Sequence, residues 1–377
     1  MSLGTLNVCV FRLRPDYERL VMDIKAIAHA AQQHLKASTS TQLPKTHLYE
    51  LIAAACGFGS YAALLSQAVL VQASGRATFD SPLLLQRCRK LGYTPGEEAF
   101  AQRLIRFLAG QHLHALRIDA IVDKFHGKDV DELVFWSSDR SAIAFTPALV
   151  GALRNAASAG NAQAHYALAL FHAIQDRQLP GGSAYWHQQQ AKGMVLQGVE
   201  KEWADAYTAR RANSASYTHH LKTAADLGDK LALFDLARAS GDRRFFEAVP
   251  APDAALDLDP AEVAMVAYEL ELPGHAWRWI RLAAEGGDIQ AMRELITEGE
   301  RHDLEACWTW VHLARLHGTD LTEDDLHAVD ENGFAYDDDV GGPIYVGGRK
   351  RLELPLLDKA QDARARAAAQ AIFRRPA

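Results

Sequence analysis

The stretch 276–295, "AWRWIRLAAEGGDIQAMREL", holds a helix stop and a helix start side by side. Gly287 can take the left-handed backbone conformation without a Cβ penalty, which lets the last carbonyls of a preceding helix find partners. Asp288, the next residue, offers a side-chain oxygen to the free amides that open a following helix. Ala283 and Ala291 lie four residues either side of Gly287, one turn from the bend on each helix, where short side chains let two axes approach. Leu295, one turn further on, continues the apolar stripe, and its burial contributes about 1.5–3 kcal/mol. Together these residues predict two antiparallel helices joined by a very tight turn.

The pattern Ala-Ala-x-x-Gly-[Asn/Asp]-x-x-Ala-x-x-x-Leu recurs. One copy is Ala156, Ala157, Gly160, Asn161, Ala164 and Leu168; another is Ala224, Ala225, Gly228, Asp229, Ala232 and Leu236; the quoted stretch adds Ala283, Ala284, Gly287, Asp288, Ala291 and Leu295. A partial copy has Ala314 and Gly318. Ala152, His220, Trp279 and Trp310 stand eight residues before the four glycines, followed by Leu153, Leu221, Ile280 and Val311, so the apolar face recurs as well. The glycine spacings, 68, 59 and 31 residues, place degenerate copies between the clear ones. Ala184 to Gly193 and Pro260 to Leu272 are the candidates. Residues 148 to about 318 then read as five or six helical hairpins stacked in a line, each burying its face on the next, which is an α-solenoid.

The repeated motif, with Trp279 in the quoted stretch and Trp310 in "EACWTWVHLARLHG", resembles the Sel-one-like repeat, a relative of the tetratricopeptide repeat. The resemblance covers somewhat under half of the chain. It implies a non-enzymatic adaptor that holds protein or peptide partners on a concave face.

Ahead of the repeats, residues 1–140 predict a separate helical module. Pro15, Leu20, Val21, Ile24, Ile27, Ala28, Ala31 and Leu35 suit one amphipathic helix. Further helices are expected from Thr46 to Cys56, from Ser60 through Val71, from Ser81-Pro82 to near Gly92, and from Thr94-Pro95 onward. Leu6, Val8 and Val10 alternate as in a short edge strand. Ala53 and Gly57 sit between two of these helices at the spacing of helix-turn-helix DNA readers. The would-be reading helix, Ser60 to Val71, offers only Gln67 and Gln72 to bases, while Tyr61, Ala62, Ala63, Leu64, Leu65, Ala68 and Val69 read as core. Arg87, Arg89 and Lys90, with Arg103 and Arg106 on the next helix, form a cationic cluster that reads as a solvated face.

Past the repeats, Thr322 to Asp325 resembles a capping box opening a short helix at Leu326. Residues 331–357 are rich in Gly and Asp and predict a small hairpin or loop around Ile344, Tyr345 and Val346. Asp337, Asp338 and Asp339 lack the alternating spacing of a calcium loop and read as a solvated acidic turn. Residues 358–377 supply a terminal helix, Leu357 to Phe373, expected to cap the stack.

The chain has 377 residues, 49% hydrophobic and 23% charged, so disordered, collagenous and low-complexity classes are disfavoured. Residues 1–130 carry 15 Lys and Arg against 10 Asp and Glu, and the remainder 25 against 37, which leaves any attraction to polyanions to the first third. Cys9, Cys56, Cys88 and Cys307 form no CxxC pair and suit reduced, mostly buried thiols in a cytoplasmic protein. No phosphate-loop, dinucleotide, nucleophile-elbow, zinc-protease or kinase motif is found. His112 and His114 point to different sides of a helix, His312 and His317 are five apart, and His219 and His220 diverge, so the sixteen histidines read as scattered. Cys307, among Trp308 and Trp310, reads as core.

The expectation is therefore an all-α adaptor, not an enzyme, with no cofactor, no metal and no membrane span. Its partner is a protein or peptide, with nucleic acid disfavoured. Contacts are expected from repeat-face aromatics among Tyr166, Tyr185, Trp186, Trp203, Tyr207 and Tyr217. The alternatives are a nucleic-acid-associated regulator acting through the N-terminal module and an enzyme with a site between module and array.

Overall fold

The computed structural model describes residues 24–38, 43–72, 77–93, 97–126, 147–174, 181–252, 256–336 and 343–375. The expected strand at Leu6–Val10, the start of the first helix at Pro15, Leu20 and Val21, Thr94-Pro95 and the acidic triplet Asp337–Asp339 lie outside these residues. The chain is mostly helical, with seventeen helices and two small antiparallel ribbons among the described residues. It divides into two compact units, Met1–Leu236 and Ala237–Ala377.

The first unit begins with α1 (Ile24–Ser38), α2 (Lys45–Ala55), α3 (Tyr61–Gln67), β1 (Ala68–Gln72), α4 (Ser81–Lys90), α5 (Glu97–Gly110), β2 (Leu113–Arg117) and α6 (Ile118–His126). Leu35, Leu48, Leu51, Ile52, Leu64, Leu84, Leu104, Leu108 and Leu113 make its buried core. Gly57 and Gly92 end α2 and α4 in the left-handed conformation, and Ser60 caps α3 by accepting the Ala63 N–H at 3.1 Å.

The helix expected from Ser60 through Val71 is corrected here: it stops at Gln67, and Ala68 is already extended. Val69 and Val71 are β-branched, stiff at χ1 and better suited to a pleated surface, and β1 pairs antiparallel with β2, Leu70 opposite Ala115. A short apolar run does not separate helix from strand by periodicity. The helix-turn-helix geometry fails with it, since α3 is a seven-residue turn of helix. Ala62 and Leu65, expected in the core, are exposed. His112 and His114 are likewise not helical: His112 sits at φ 51° before β2, which carries His114.

The first repeat copy forms α7 (Pro147–Ser158) and α8 (Ala162–Ile174). Next come α9 (Ser183–Ala191), α10 (Gly198–Asp226) and α11 (Lys230–Ser240), the last beginning just after the second copy's bend. The second unit continues with α12 (Arg244–Ala248), α13 (Pro260–Glu269), α14 (Pro273–Glu285) and α15 (Ile289–Glu294), which runs into a π-helical turn, Leu295–Gly299. Then follow α16 (Leu304–Leu316), β3 (Asp325–Val329), β4 (Tyr345–Arg349) and α17 (Lys359–Phe373).

At all three intact copies the glycine is left-handed, with φ 88° at Gly160, 89° at Gly228 and 103° at Gly287. The two alanines of each motif supply the carbonyls that end the helix. Gly160 N–H donates to Ala157 and Asn161 N–H to Ala156, and the same pair of bonds recurs at Gly228/Asp229 and Gly287/Asp288. The following helix is capped through the third alanine: Ala164, Ala232 and Ala291 donate to Asn161, Asp229 and Asp288 at 3.0, 3.0 and 2.9 Å. Asn161 also donates its side-chain N–H to the Ser66 carbonyl at 2.7 Å, a bond that the aspartates of the other copies cannot make.

In the second unit Trp279 is 1% exposed and packs near Phe245. Trp310 donates its indole N–H to Glu300 at 2.8 Å. The short helix expected at Leu326 is corrected: Asp325–Val329 is β3, paired with β4 so that Ala328 faces Val346. β4 approaches so closely that a Cβ on Gly348 would lie 1.9 Å from the Asp325 carbonyl oxygen, which excludes any side chain there. α17 opens on a capping box between Asp358 and Gln361 and lies against α16 through His312–Asp362 at 2.9 Å and Arg364–Glu305 at 2.7 Å.

Candidate interaction face

Six aromatics were singled out by sequence, and the structure separates them. Tyr166 is 1% exposed in the core, its hydroxyl donating to Asp235 at 2.9 Å. Burial, with the Asp235 carboxylate beside it, pushes its hydroxyl far above the usual tyrosine range. The expectation that it contacts a partner is therefore corrected: an amphipathic ring needs only one buried acceptor to join a core, and that acceptor lies sixty-nine residues away in sequence. Tyr217 is half-buried on α10 within electrostatic reach of Tyr166.

The other four gather on α9 and the first turns of α10. Gly182, left-handed at φ 94°, precedes α9 and lies so near Trp203 that a Cβ there would sit 3.9 Å from the indole. Tyr185 and Trp186 meet edge to face with centroids 5.0 Å apart, and His187 lies 5.0 Å from Tyr207. His187 is fixed further by Thr208. The threonine hydroxyl donates to the Ala204 carbonyl at 2.9 Å, so it accepts the His187 Nδ1–H at 3.0 Å. Ala204, fully buried, lets α9 close on α10. Trp186, Trp203 and Tyr207 are half-buried in this packing, while Tyr185 is 53% exposed.

Between the helices the chain reads Gly193-Met194-Val195-Leu196-Gln197-Gly198. Gly193 is left-handed, and Met194 N–H closes the end of α9 on the Gln189 carbonyl at 3.0 Å. Leu196 turns inward as the anchor; Met194, Val195 and Val199 stay outside, Val195 at 86% exposure. Single exposed apolar residues are ordinary, but with Tyr185 four fall within one helix–loop–helix segment. The aromatic count overlooked Met194, Val195 and Val199. Their signal was an apolar run held between two glycines.

Of the cationic cluster, Arg87 is drawn into the fold. Arg87 turns inward to Glu50 at 3.4 Å and to the Gly59 carbonyl, tying α4 to α2 and the start of α3. Cys88 and Cys307 are buried and Cys56 half-buried; burial pushes the Cys56 thiol up to about 12, and Cys307 donates to the Glu300 carbonyl at 3.3 Å. These are packed thiols and not nucleophiles. Among the described residues no group of three or more His, Cys, Asp or Glu is placed to hold a metal ion. Four histidines nevertheless converge where scattered ones were expected: His165 and His172 on α8, His219 and His220 on α10. No helix among the described residues is long and apolar enough to cross a membrane.

No protein-family model matches the chain, and neither curated proteins nor solved structures gave a match.

Proposed function

We propose that this chain is a non-enzymatic interaction scaffold, built on Sel-one-like helical hairpins stacked in a line, and that the α9–α10 face receives an apolar peptide segment of a partner protein. The observation that carries this reading is the exposed set Tyr185, Met194, Val195 and Val199 beside half-buried Trp186, Trp203 and Tyr207. Half-buried aromatics beside exposed apolar side chains suit a ligand side chain that is anchored on the rings and sealed from water around them. The repeated bends support the array, since a small residue on each side of a left-handed glycine is what close hairpin packing requires. Arg87, one of the five cations that would face nucleic acid, is instead paired with Glu50.

The test is selection from a displayed peptide library by the full chain, followed by binding measurements on Val195→Asp and Tyr185→Ala. Enriched apolar peptides whose affinity falls about tenfold or more, equivalent to about 1.4 kcal/mol, with the circular dichroism spectrum unchanged, are the expected result. Absence of enrichment, or peptides indifferent to both substitutions, would remove the α9–α10 face from consideration.

A further inference from the structure

Of the four histidines between α8 and α10, His165 and His220 are joined by a bond that admits one protonation pattern in the neutral pair. His165 Nε2 faces the Ala157 carbonyl oxygen of α7 at 3.0 Å, and a carbonyl only accepts, so Nε2 carries the proton. In the neutral ring Nδ1 is then bare. It lies 2.9 Å from His220 Nδ1, which must therefore be the donor. His220 Nε2 is left bare in turn, and that ring stacks on His172 with centroids 5.9 Å apart and planes 5° from parallel. His172 donates its Nδ1–H to the Asn213 side-chain oxygen at 3.2 Å. His219 borders the group, 5.2 Å from His220 and 6.5 Å from His165 between centroids.

We propose that the His165–His220 contact, with His172 and His219 around it, is a proton-operated latch that holds α8 on α10 while its rings are neutral and releases it on acidification. The first proton taken up by the pair leaves one N–H between the two Nδ1 atoms, on either ring; a second proton sets two N–H groups against each other and breaks the contact. A proton added to His220 at Nε2 leaves the contact intact but places a charge against the His172 ring. The surrounding charges favour neutrality too. Arg154 of α7 acts on both His172 and His220. On the α11 side the Asp235 carboxylate is occupied by Tyr166, and α6, which also packs on α8, bears Asp119, already paired with Arg117, together with Asp123 and Lys124. Burial, the largest cause in each case, lowers His165, His172 and His220, the last to about 4.

The sign follows from linkage. These rings take up protons near pH 6.5 when α8 and α10 separate, and only at lower pH when they are closed. The stability they confer is complete above about pH 6.5, declines as the pH falls, and for His220 is exhausted at about 4. The latch does not depend on the α9–α10 face binding a peptide.

Two measurements on the full chain test it. Side-chain ¹H–¹⁵N correlation at pH 7.5 is expected to show His165 protonated at Nε2 and His220 at Nδ1, with both rings titrating below the ordinary histidine range. Hydrogen exchange of α8 and α10, corrected for the intrinsic rate, is expected to show opening that rises about tenfold per pH unit for each ring whose protonation is deferred. His220→Asn keeps an N–H donor near the Nδ1 position without a titrating ring, and should remove one such tenfold factor. Rings that titrate ordinarily while the helices stay closed, or a His220→Asn variant with unaltered pH dependence, would overturn the proposal. If that variant does not fold, the wild-type titration decides alone.

Discussion

The bends at Gly287 and Gly318 stop a helix in the same way and then part. At both, the glycine is left-handed and two carbonyls of the last turn accept the closing bonds: Gly287 and Asp288 N–H donate to Ala284 and Ala283, and Gly318 and Thr319 N–H to Arg315 and Ala314. After Gly287 the carboxylate of the next residue accepts the Ala291 N–H and α15 begins. After Gly318 that position holds Thr319, and the carboxylate arrives one residue later. Asp320 accepts the Thr322 N–H at 2.8 Å and bonds Arg315 at 2.9 Å, fixing a turn that leads to β3. Helix termination and helix initiation are thus written in different residues, and only the first is shared by all four copies.

Substitution at the two glycines should widen this contrast the most. Gly287→Ala meets both the left-handed strain, about 1–2 kcal/mol, and a Cβ 2.7 Å from the His317 ring, which would have to leave its edge contact with Phe373. Gly318→Ala meets the strain alone, since its Cβ would enter open space. Denaturant unfolding should therefore show a greater loss for Gly287→Ala by about 1 kcal/mol, on the scale of the strain itself. Equal losses would show that the His317–Phe373 contact contributes nothing.

The caps come next in size. Asn161→Asp keeps the cap but replaces the N–H donor to the Ser66 carbonyl with a second acceptor, so a loss of about 1–2 kcal/mol is expected in thermal unfolding. Asp288→Asn, the reverse exchange, should stay within about 0.5 kcal/mol, because both side chains cap equally well. Asp288→Ala, which removes the oxygen, should cost about 1 kcal/mol. The smallest effect is expected from Thr319→Asp. It supplies the missing start signal, yet Asp320 already commits the chain to a turn, so helix content by circular dichroism should not rise and stability should move by less than about 0.5 kcal/mol.

These bends were legible because each motif position performs one local task, visible in the order of residues. What escaped depended on partners distant in sequence. β1 became a strand because β2 lies beside it, some forty-five residues on, and the run Ala68–Gln72 alone does not announce that neighbour. Tyr166 looked like an accessible aromatic until Asp235 was found against its hydroxyl. The histidines of α8 and α10 looked scattered because the spacing within one helix says nothing of the ring that faces it across an interface. For the candidate face, residue type pointed to Tyr185 and Trp186, while the exposure of Met194, Val195 and Val199 followed from Leu196 being the residue that turns in.

The ribbon of β3 and β4 has two strands; Ala335 bridges Val329 and Tyr336 N–H donates to the Ala328 carbonyl at 3.1 Å, covering one end of β3, and the rest of the edge invites another chain to add itself. The invitation is blunted by what surrounds it. Asp324 precedes β3, Asp325 opens it and pairs with Arg349 at the end of β4 at 3.0 Å, and Lys350 and Arg351 follow, so an added strand would meet charges at that end of the ribbon. Exposed Tyr345 and Val346 thus lie on a strand whose charged end discourages a further strand.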